Sequence, residues 1–337
     1  MVPILFRYFD RFKTEINLKT LKKISVLVII ILILSSSIIL LVEPDSQFAG
    51  FRDALWWSVV TATTVGYGDK YPITLPGQLV ALVVMILGIG LLGAITAKFA
   101  DLFINLKKRR ELGELAADYE GHLLVCGWCT RTPEIIKQIL NETLDYKQLV
   151  LVAELERDPL PDNDLVHFVK GEIDNRQTLN KAGVKKASKA IILNQDDNDR
   201  TTVLAALTIE NLNSDLYTVA EVTNRDNKIH LEDAGVDEIV VKEEINSKLL
   251  VRSSFYTGTS QLINELLSND VGEEIYMQEI LKEDVGVSFL ELINKYKSSQ
   301  EVMPIGLKRD NQIITNPAQD TEVNPGDKMV YIAQEKK

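Results

Sequence analysis

Residues 64 to 68 read Thr64-Val65-Gly66-Tyr67-Gly68, within the longer run Thr61-Ala62-Thr63-Thr64-Val65-Gly66-Tyr67-Gly68-Asp69. Glycine enters positive φ without steric cost, so Gly66 and Gly68 allow a backbone that alternates in handedness. Such alternation aims successive carbonyl oxygens at one line. Upstream, Phe51 to Thr61 has helical character and carries two adjacent tryptophans, Trp56 and Trp57. Downstream, Pro72 and Pro76 stop regular structure. Further out lie two uncharged runs of 19 residues, Ile24–Val42 and Leu79–Ala97. As helices each spans about 28 Å, close to the hydrocarbon thickness of a bilayer. The second is expected to continue as helix to about Phe103.

The flanks orient these spans. Arg7, Arg11, Lys13, Lys19, Lys22 and Lys23 precede the first, and Lys107, Lys108, Arg109 and Arg110 follow the second. Between the spans stand only Arg52 and Lys70. The positive-inside rule places both termini in the cytoplasm and the connection outside, in a multi-pass protein of the cell membrane. A signal peptide is disfavoured, because 23 residues precede the first run and a second span follows. The first 20 residues, with Phe6, Tyr8, Phe9 and Phe12 among basic residues, read as an interfacial helix.

Charge divides the chain sharply. Up to Arg110 there are 13 Lys/Arg against 7 Asp/Glu; the remainder holds 24 against 41. An acidic second half argues against nucleic acid, which needs a basic face. It suits a solvated cytosolic domain or cation binding. The two cysteines, Cys126 and Cys129, are too few for a disulfide framework, and packing at a strand end accounts for them better than redox or zinc chemistry.

Placed between two spans, the run 61–69 resembles the selectivity filter of the two-span potassium channels, and the likeness extends over residues 24 to 103. The resemblance implies a homotetramer in the lipid bilayer with potassium as the permeant ion. Thr64, Val65, Gly66, Tyr67 and Gly68 would supply rings of oxygens that replace its hydration shell. It also implies that Tyr67 braces the filter against the tryptophans and that Asp69 accepts a hydrogen bond from the Trp57 indole. In the second span Gly88 and Gly90 match the gating hinge, although tight helix packing explains them as well. Gly93, Ala94 and Ala97 would leave a wide inner pore. Val60 stands where some relatives carry a buried carboxylate. No Arg-rich helix precedes the spans in this sequence, so voltage sensing by moving arginines is not expected and another input is expected to bias the gate.

From Gly121 short apolar segments alternate with helical ones. Strands are expected at His122–Cys126, Gln148–Ala153, Val166–Lys170, Ala190–Leu193, Tyr217–Val222 and Glu238–Val241, with helices such as Pro133–Leu140, Arg200–Leu212 and Lys228–Ala234. This pattern gives a parallel α/β sheet covered on both faces. After the first strand, Gly127 keeps the first glycine of a dinucleotide fingerprint, but Cys129 replaces the second, so NAD is disfavoured. Gly127 and the acid Glu154 remain only weak cofactor candidates. No hydride-transfer constellation is present, and an enzyme is not expected.

Leu124-Val125-Cys126-Gly127-Trp128, Val169-Lys170-Gly171-Glu172, Val219-Ala220-Glu221-Val222 and Ala234-Gly235-Val236-Asp237, in this order after such a pore, resemble a regulator-of-potassium-conductance (RCK) domain. The resemblance implies a Rossmann-like lobe over 121–244, crossover helices over 245–270 that pair subunits, and a small α+β lobe over 271–337. An interfacial segment (1–23), the pore module (24–104) and a linker (105–120) would precede it. Such domains form a gating ring, of four if each chain supplies one, or of eight with soluble copies. No methionine lies between Met85 and Met277 to start such copies.

The whole chain is similar to the prokaryotic calcium-gated channels. Calcium wants six to eight hard oxygens, and open sheets hold ligands beyond their strand ends. Candidates there are Glu154, Glu172, Asp174, Asp196, Asp197, Asp199 and Glu221. The relatives' own site falls on Asn194, Glu221 and Thr223, keeping one carboxylate of three; the acidic Gly272-Glu273-Glu274 stretch is another candidate. A nucleotide or another cation is the alternative ligand. A membrane-tethered Rossmann sensor, or a transporter regulatory subunit, is the alternative class, disfavoured by the complete pore.

Overall fold

A computed structural model describes residues 18–44, 48–142, 148–268, 272–310 and 312–335. The expected interfacial helix falls almost wholly outside them. The chain divides into two compact units, one up to Arg109 and one from Arg110.

In the first unit, α1 (Leu18–Val42), α2 (Phe51–Ala62) and α3 (Leu75–Glu111) are helices. Helices α1 and α3 are long and apolar enough to cross a membrane, as a bilayer demands of any span whose backbone cannot reach water. Both run beyond the expected bounds, α3 by eight residues at its C-terminal end, because nothing between Phe103 and Glu111 breaks a helix, and by four at its start, where Pro76 sits in the first turn and does not stop regular structure as expected. Gly77, Ala81, Val84 and Gly88 form the buried stripe of α3, one residue per turn on a single face. The centre of the unit is the cluster Ile39, Phe48, Ala54, Trp57, Ala81 and Val84. Ser35 and Ser36 donate to the buried Ser58 hydroxyl at 3.0 and 3.2 Å, so α1 and α2 are joined by hydroxyls as well as by packing.

The second unit holds a six-stranded parallel sheet of order β3-β2-β1-β4-β5-β6. Its strands are β1 (Leu123–Cys126), β2 (Leu149–Ala153), β3 (Val166–Lys170), β4 (Lys189–Ile192), β5 (Tyr217–Val222) and β6 (Glu238–Val241). Strands β1 and β2 are buried at every position, as a sheet covered on both faces requires. Between them run α4 (Thr132–Asn141), α5 (Arg176–Lys181), α6 (Asp199–Leu212) and α7 (Lys228–Ala234). The Asn175 side chain caps α5, accepting from the amides of Gln177 and Thr178.

Helices α8 (Lys242–Phe255) and α9 (Thr259–Leu266) follow and contain no buried residue. The last lobe has the antiparallel order β7-β10-β8-β9, with β7 (Glu274–Glu279), β8 (Met303–Arg309), β9 (Gln312–Thr315) and β10 (Lys328–Ala333), and α10 (Phe289–Gln300) against them. A capping box between Ser288 and Glu291 opens α10. Buried Asp327 is held by a two-pronged bond from Arg309, at 2.9 and 2.8 Å.

The segment after α3 is no loose tether. The Gly113 carbonyl accepts from the Lys170 amide and the Lys181 ammonium, at 3.0 and 2.8 Å. The Ala117 amide donates to the Lys181 carbonyl, the Leu115 carbonyl lies 3.0 Å from His167 Nε2, and Lys186 pairs with Asp118. The expected linker of 105–120 is therefore helix to Glu111 and docked backbone from Gly113.

Candidate functional sites

Helix α2 ends on the pentapeptide. The Val60 carbonyl accepts from the amides of Val65 and Gly66, at 3.0 and 3.2 Å, and the Thr61 carbonyl from that of Thr64. Thr64, Gly66 and Gly68 have φ of 62°, 58° and 75°, so left-handed residues alternate with Val65 and Tyr67. The backbone folds this way because the two glycines accept it freely and Thr64 is pinned by its amide bond. The C-terminal end of a helix carries partial negative charge, which favours a cation.

Trp56, not Trp57, meets Asp69: its indole nitrogen donates to Asp69 Oδ2 at 2.9 Å. Its ring also stacks on Tyr67, with centroids 6.0 Å apart and planes 6° apart. Trp57 is turned inward and packs edge-on against Phe48. Adjacent helical residues diverge by about 100°, so only one of the pair can face the loop. Val60 is buried, with no carboxylate at that position to bond Asp69.

The glycines of α3 separate into two kinds. A Cβ on Gly88 would lie 2.4 Å from the Ala62 carbonyl oxygen and 2.7 Å from its Cα, so close packing alone requires glycine there. A Cβ on Gly90 or Gly93 would meet nothing within 4 Å. Both face open space in the protomer, as does Ala97.

Glu43 was not anticipated. It follows α1 directly, and its buried carboxylate accepts from the Ile73 amide at 3.1 Å, the Thr74 amide at 3.0 Å and the Thr74 hydroxyl at 2.6 Å. Burial works against the charged form, but these three bonds outweigh it and hold the carboxyl below its usual range. The chain beyond the pentapeptide is thereby clasped to the end of α1.

In the second unit the strand ends of β4 and β5 gather Asn194, Asp197, Asp199, Glu221 and Thr223. Asp199 opens α6, and its carboxylate accepts from the amides of Thr223 and Asn224, at 2.8 and 2.9 Å, and from the Asn227 and Asn194 side chains. Burial raises its pKa, yet these four donors together lower it. The Asn194 amide nitrogen also donates to the Thr223 hydroxyl, while its buried Oδ1 has no partner. Two basic residues complete the network. Arg131, from the loop before α4, binds Glu221 at 2.8 Å. Lys242, the first residue of α8, binds Asp197, raising its own pKa and lowering that of Asp197.

Asp196, Glu154 and Glu172 are exposed and stand outside this network, and Asp174 is half-buried. Gly127 has φ of 116°, and a Cβ there would meet Gln195 Nε2 at 2.9 Å and the Leu193 carbonyl oxygen at 3.0 Å; its neighbours explain the glycine without a pyrophosphate. As arranged, the acids do not fit a calcium ion, because Arg131 and Lys242 occupy two of three carboxylates. Among the described residues no group of three His, Cys, Asp or Glu is set to hold a metal. Cys126 is buried in β1 with its thiol pushed up by burial to about 12, which leaves it inert.

Comparison with known proteins agrees with both units. Residues 26–105 match the ion channel family model, 123–242 the TrkA-N domain, and 243–337 the Castor and Pollux part of a voltage-gated ion channel. The calcium-gated potassium channel TvoK of Thermoplasma volcanium is 26% identical over 98% of this chain and 97% of its own. Potassium channel protein 1 of Methanocaldococcus jannaschii is 25% identical over 90% and 91%. Among solved structures, the GsuK channel has a TM-score of 0.51 at 19% identity, covering 95% of this chain and 58% of that one. The human SLO3 gating ring has 0.51 at 16%, covering 64% and 44%. The chain thus spans about half the length of those two, and the likeness to them is one of fold.

Together these matches define a potassium channel subunit, a membrane protein with an RCK regulatory domain, and not an enzyme. It joins a two-span pore to a C-terminal RCK domain and resembles the prokaryotic calcium-gated potassium channels.

Proposed function

We propose that Thr64 to Gly68 form the selectivity filter of a potassium channel whose gate is biased by a ligand on the RCK domain. The alternation of left-handed residues at Thr64, Gly66 and Gly68 carries this reading, since it aligns backbone carbonyls as ion ligands. One strand of carbonyls cannot encircle an ion, so four chains are required. Trp56 and Asp69 brace the filter from outside, as their bond and the Tyr67 stack favour. With Gly88 committed to packing, Gly90 is the hinge. The basic flanks put both termini and the RCK domain in the cytoplasm.

Calcium is the leading ligand. The relative named as calcium-gated covers nearly the whole chain; an ion at the β4 and β5 strand ends would require Glu221 and Asp197 to exchange Arg131 and Lys242 for it. A nucleotide is the second reading, favoured by Arg131, whose guanidinium stands in the loop after β1 where phosphates bind such folds. Either ligand must prefer one ring geometry, because equal affinity for both shifts nothing.

The test is potassium flux from liposomes holding the purified protein, with and without millimolar calcium at fixed ionic strength. Potassium-selective flux that Gly66→Ala abolishes is expected; flux surviving that change refutes the filter assignment. Flux that rises with calcium supports calcium gating, and indifference to it leaves the nucleotide reading.

A further inference from the structure

Beyond the pentapeptide the chain stays against α2. Trp56 meets both Tyr67 and Asp69. One turn nearer the start of the helix, the Asp53 carboxylate binds the Lys70 ammonium at 3.1 Å. Residues 53 and 56 lie on one helix face, and residues 69 and 70 are consecutive. The chain therefore runs back along α2 from its C-terminal end to its first turn.

The helix dipole accounts for Asp53, since an acid in the first turn is favoured there. It does not account for Lys70. This lysine stands two residues after Gly68, where a positive charge repels any cation that enters or leaves. Its ammonium rides on a long flexible stem, and the neighbouring Asp69 is bonded to the Trp56 indole. Lys70 and Asp53 are 30% and 34% exposed, so their bond adds little to stability. Its effect is to place a charge. The Lys70 bond outweighs desolvation and, with the Ala49 amide, holds the Asp53 carboxyl below its usual range, so the pair stays ionised. From Phe48 to Ile73 the charged residues are Arg52, Asp53, Asp69 and Lys70, which sum to zero.

We propose that Asp53 is the positioning residue of the extracellular mouth, drawing the Lys70 ammonium back onto α2 and off the exit of the filter. This rests on the filter and four-chain reading above, and it names the residue that sets how readily potassium enters from outside. Without the carboxylate each subunit gains one net positive charge, four in the assembly. Four unit charges within a Debye length of the exit lower the local potassium concentration by about fivefold at low salt.

The experiment is single-channel recording of the purified full-length protein in planar bilayers. Potassium is fixed at about 0.01 M, and an impermeant organic cation raises ionic strength from about 0.01 M to about 1 M, which shortens the Debye length from about 30 Å to about 3 Å. Wild type is compared with Asp53→Asn, Asp53→Glu, Lys70→Met and the double variant Asp53→Asn/Lys70→Met. Inward current of Asp53→Asn at low ionic strength is expected to fall by about fivefold and to recover at high ionic strength. Lys70→Met raises inward current, while Asp53→Glu and the double variant match wild type. Wild-type inward current in Asp53→Asn overturns the proposal. So does a loss that persists at high ionic strength or in the double variant, which would make Asp53 a support of the fold and not a guide of charge. Where Asp53→Asn yields no channels, Lys70→Met decides alone, and inward current that is unchanged or lower overturns the proposal. Failure of the filter reading is seen separately, as wild-type current that does not select potassium over sodium.

Discussion

A methyl group added at Gly88 tests whether the inner helix holds the filter from behind. In Gly88→Ala the new Cβ would sit 2.4 Å from the Ala62 carbonyl oxygen, 2.7 Å from its Cα and 2.9 Å from its carbonyl carbon. That is about 1 Å inside the distance at which such atoms attract, and backbone on both sides leaves no flexible end to swing away. Either α3 or the end of α2 must retreat. Overpacking of this kind costs about 1–3 kcal/mol per site. Ala62 is two residues from Thr64, so the retreat is transmitted to the carbonyls of the pentapeptide. Gly90→Ala is the matched control: its Cβ meets nothing within 4 Å, and alanine is the better helix former by about 1 kcal/mol. Thermal unfolding of the purified assembly and the ratio of potassium to sodium flux are the assays. Gly88→Ala should lower the midpoint and erode selectivity, and Gly90→Ala should do neither. Equal stability and equal selectivity in both variants would refute a close α2–α3 contact as the support of the filter.

Glu43→Gln keeps the shape of the clasp but removes its charge and turns one acceptor into a donor facing amides. Faster decay of current during sustained opening is expected, and unaltered decay would show that the clasp does not hold the outer pore. Because hydrogen bonds depress the folded pKa of Glu43, its contribution is present above the unfolded carboxyl pKa and is lost as pH falls through the lower folded value. Acid titration of channel stability should therefore show an acid-side loss that Glu43→Gln lacks. In the last lobe, Arg309→Met strands the Asp327 carboxylate, 2% exposed, without its partner. Unfolding measurements should show a loss of about 3 kcal/mol or more, and a change within error would mean that water enters to replace the arginine.

Much of the pore was legible because its signals are local. Spans are read from runs of apolar residues, and the pentapeptide needs no partner to be recognised. The choice between Trp56 and Trp57 was not legible. Two neighbours on a helix are equivalent in sequence until packing decides which faces inward, and here Phe48 claims Trp57. The strands of the six-stranded sheet lay within a residue of expectation, since burial on both faces leaves continuous apolar segments. The pairs Arg131–Glu221 and Lys242–Asp197 were invisible, because their members are 90 and 45 residues apart. Acidic residues at strand ends therefore read as vacant ligands, and the cations satisfying them came from elements whose sequences gave no reason to look. The two readings of Gly88 and Gly90, hinge or packing, likewise needed the position of Ala62.

The docked backbone after α3 bears on how much motion can be lost between sensor and gate. A flexible tether of 16 residues would have a root-mean-square reach of about 22 Å and could swallow a movement of several ångströms by recoiling. From Gly113 to Asp118 the chain is instead bonded at Gly113, Leu115, Ala117 and Asp118, while helix persists to Glu111. Only Leu112 separates the two regimes. The chain from the end of α3 to the docked backbone therefore has almost nothing free to recoil. Its length should be far less forgiving than its composition, so that side chains along it can be exchanged while a few inserted glycines disconnect the lever.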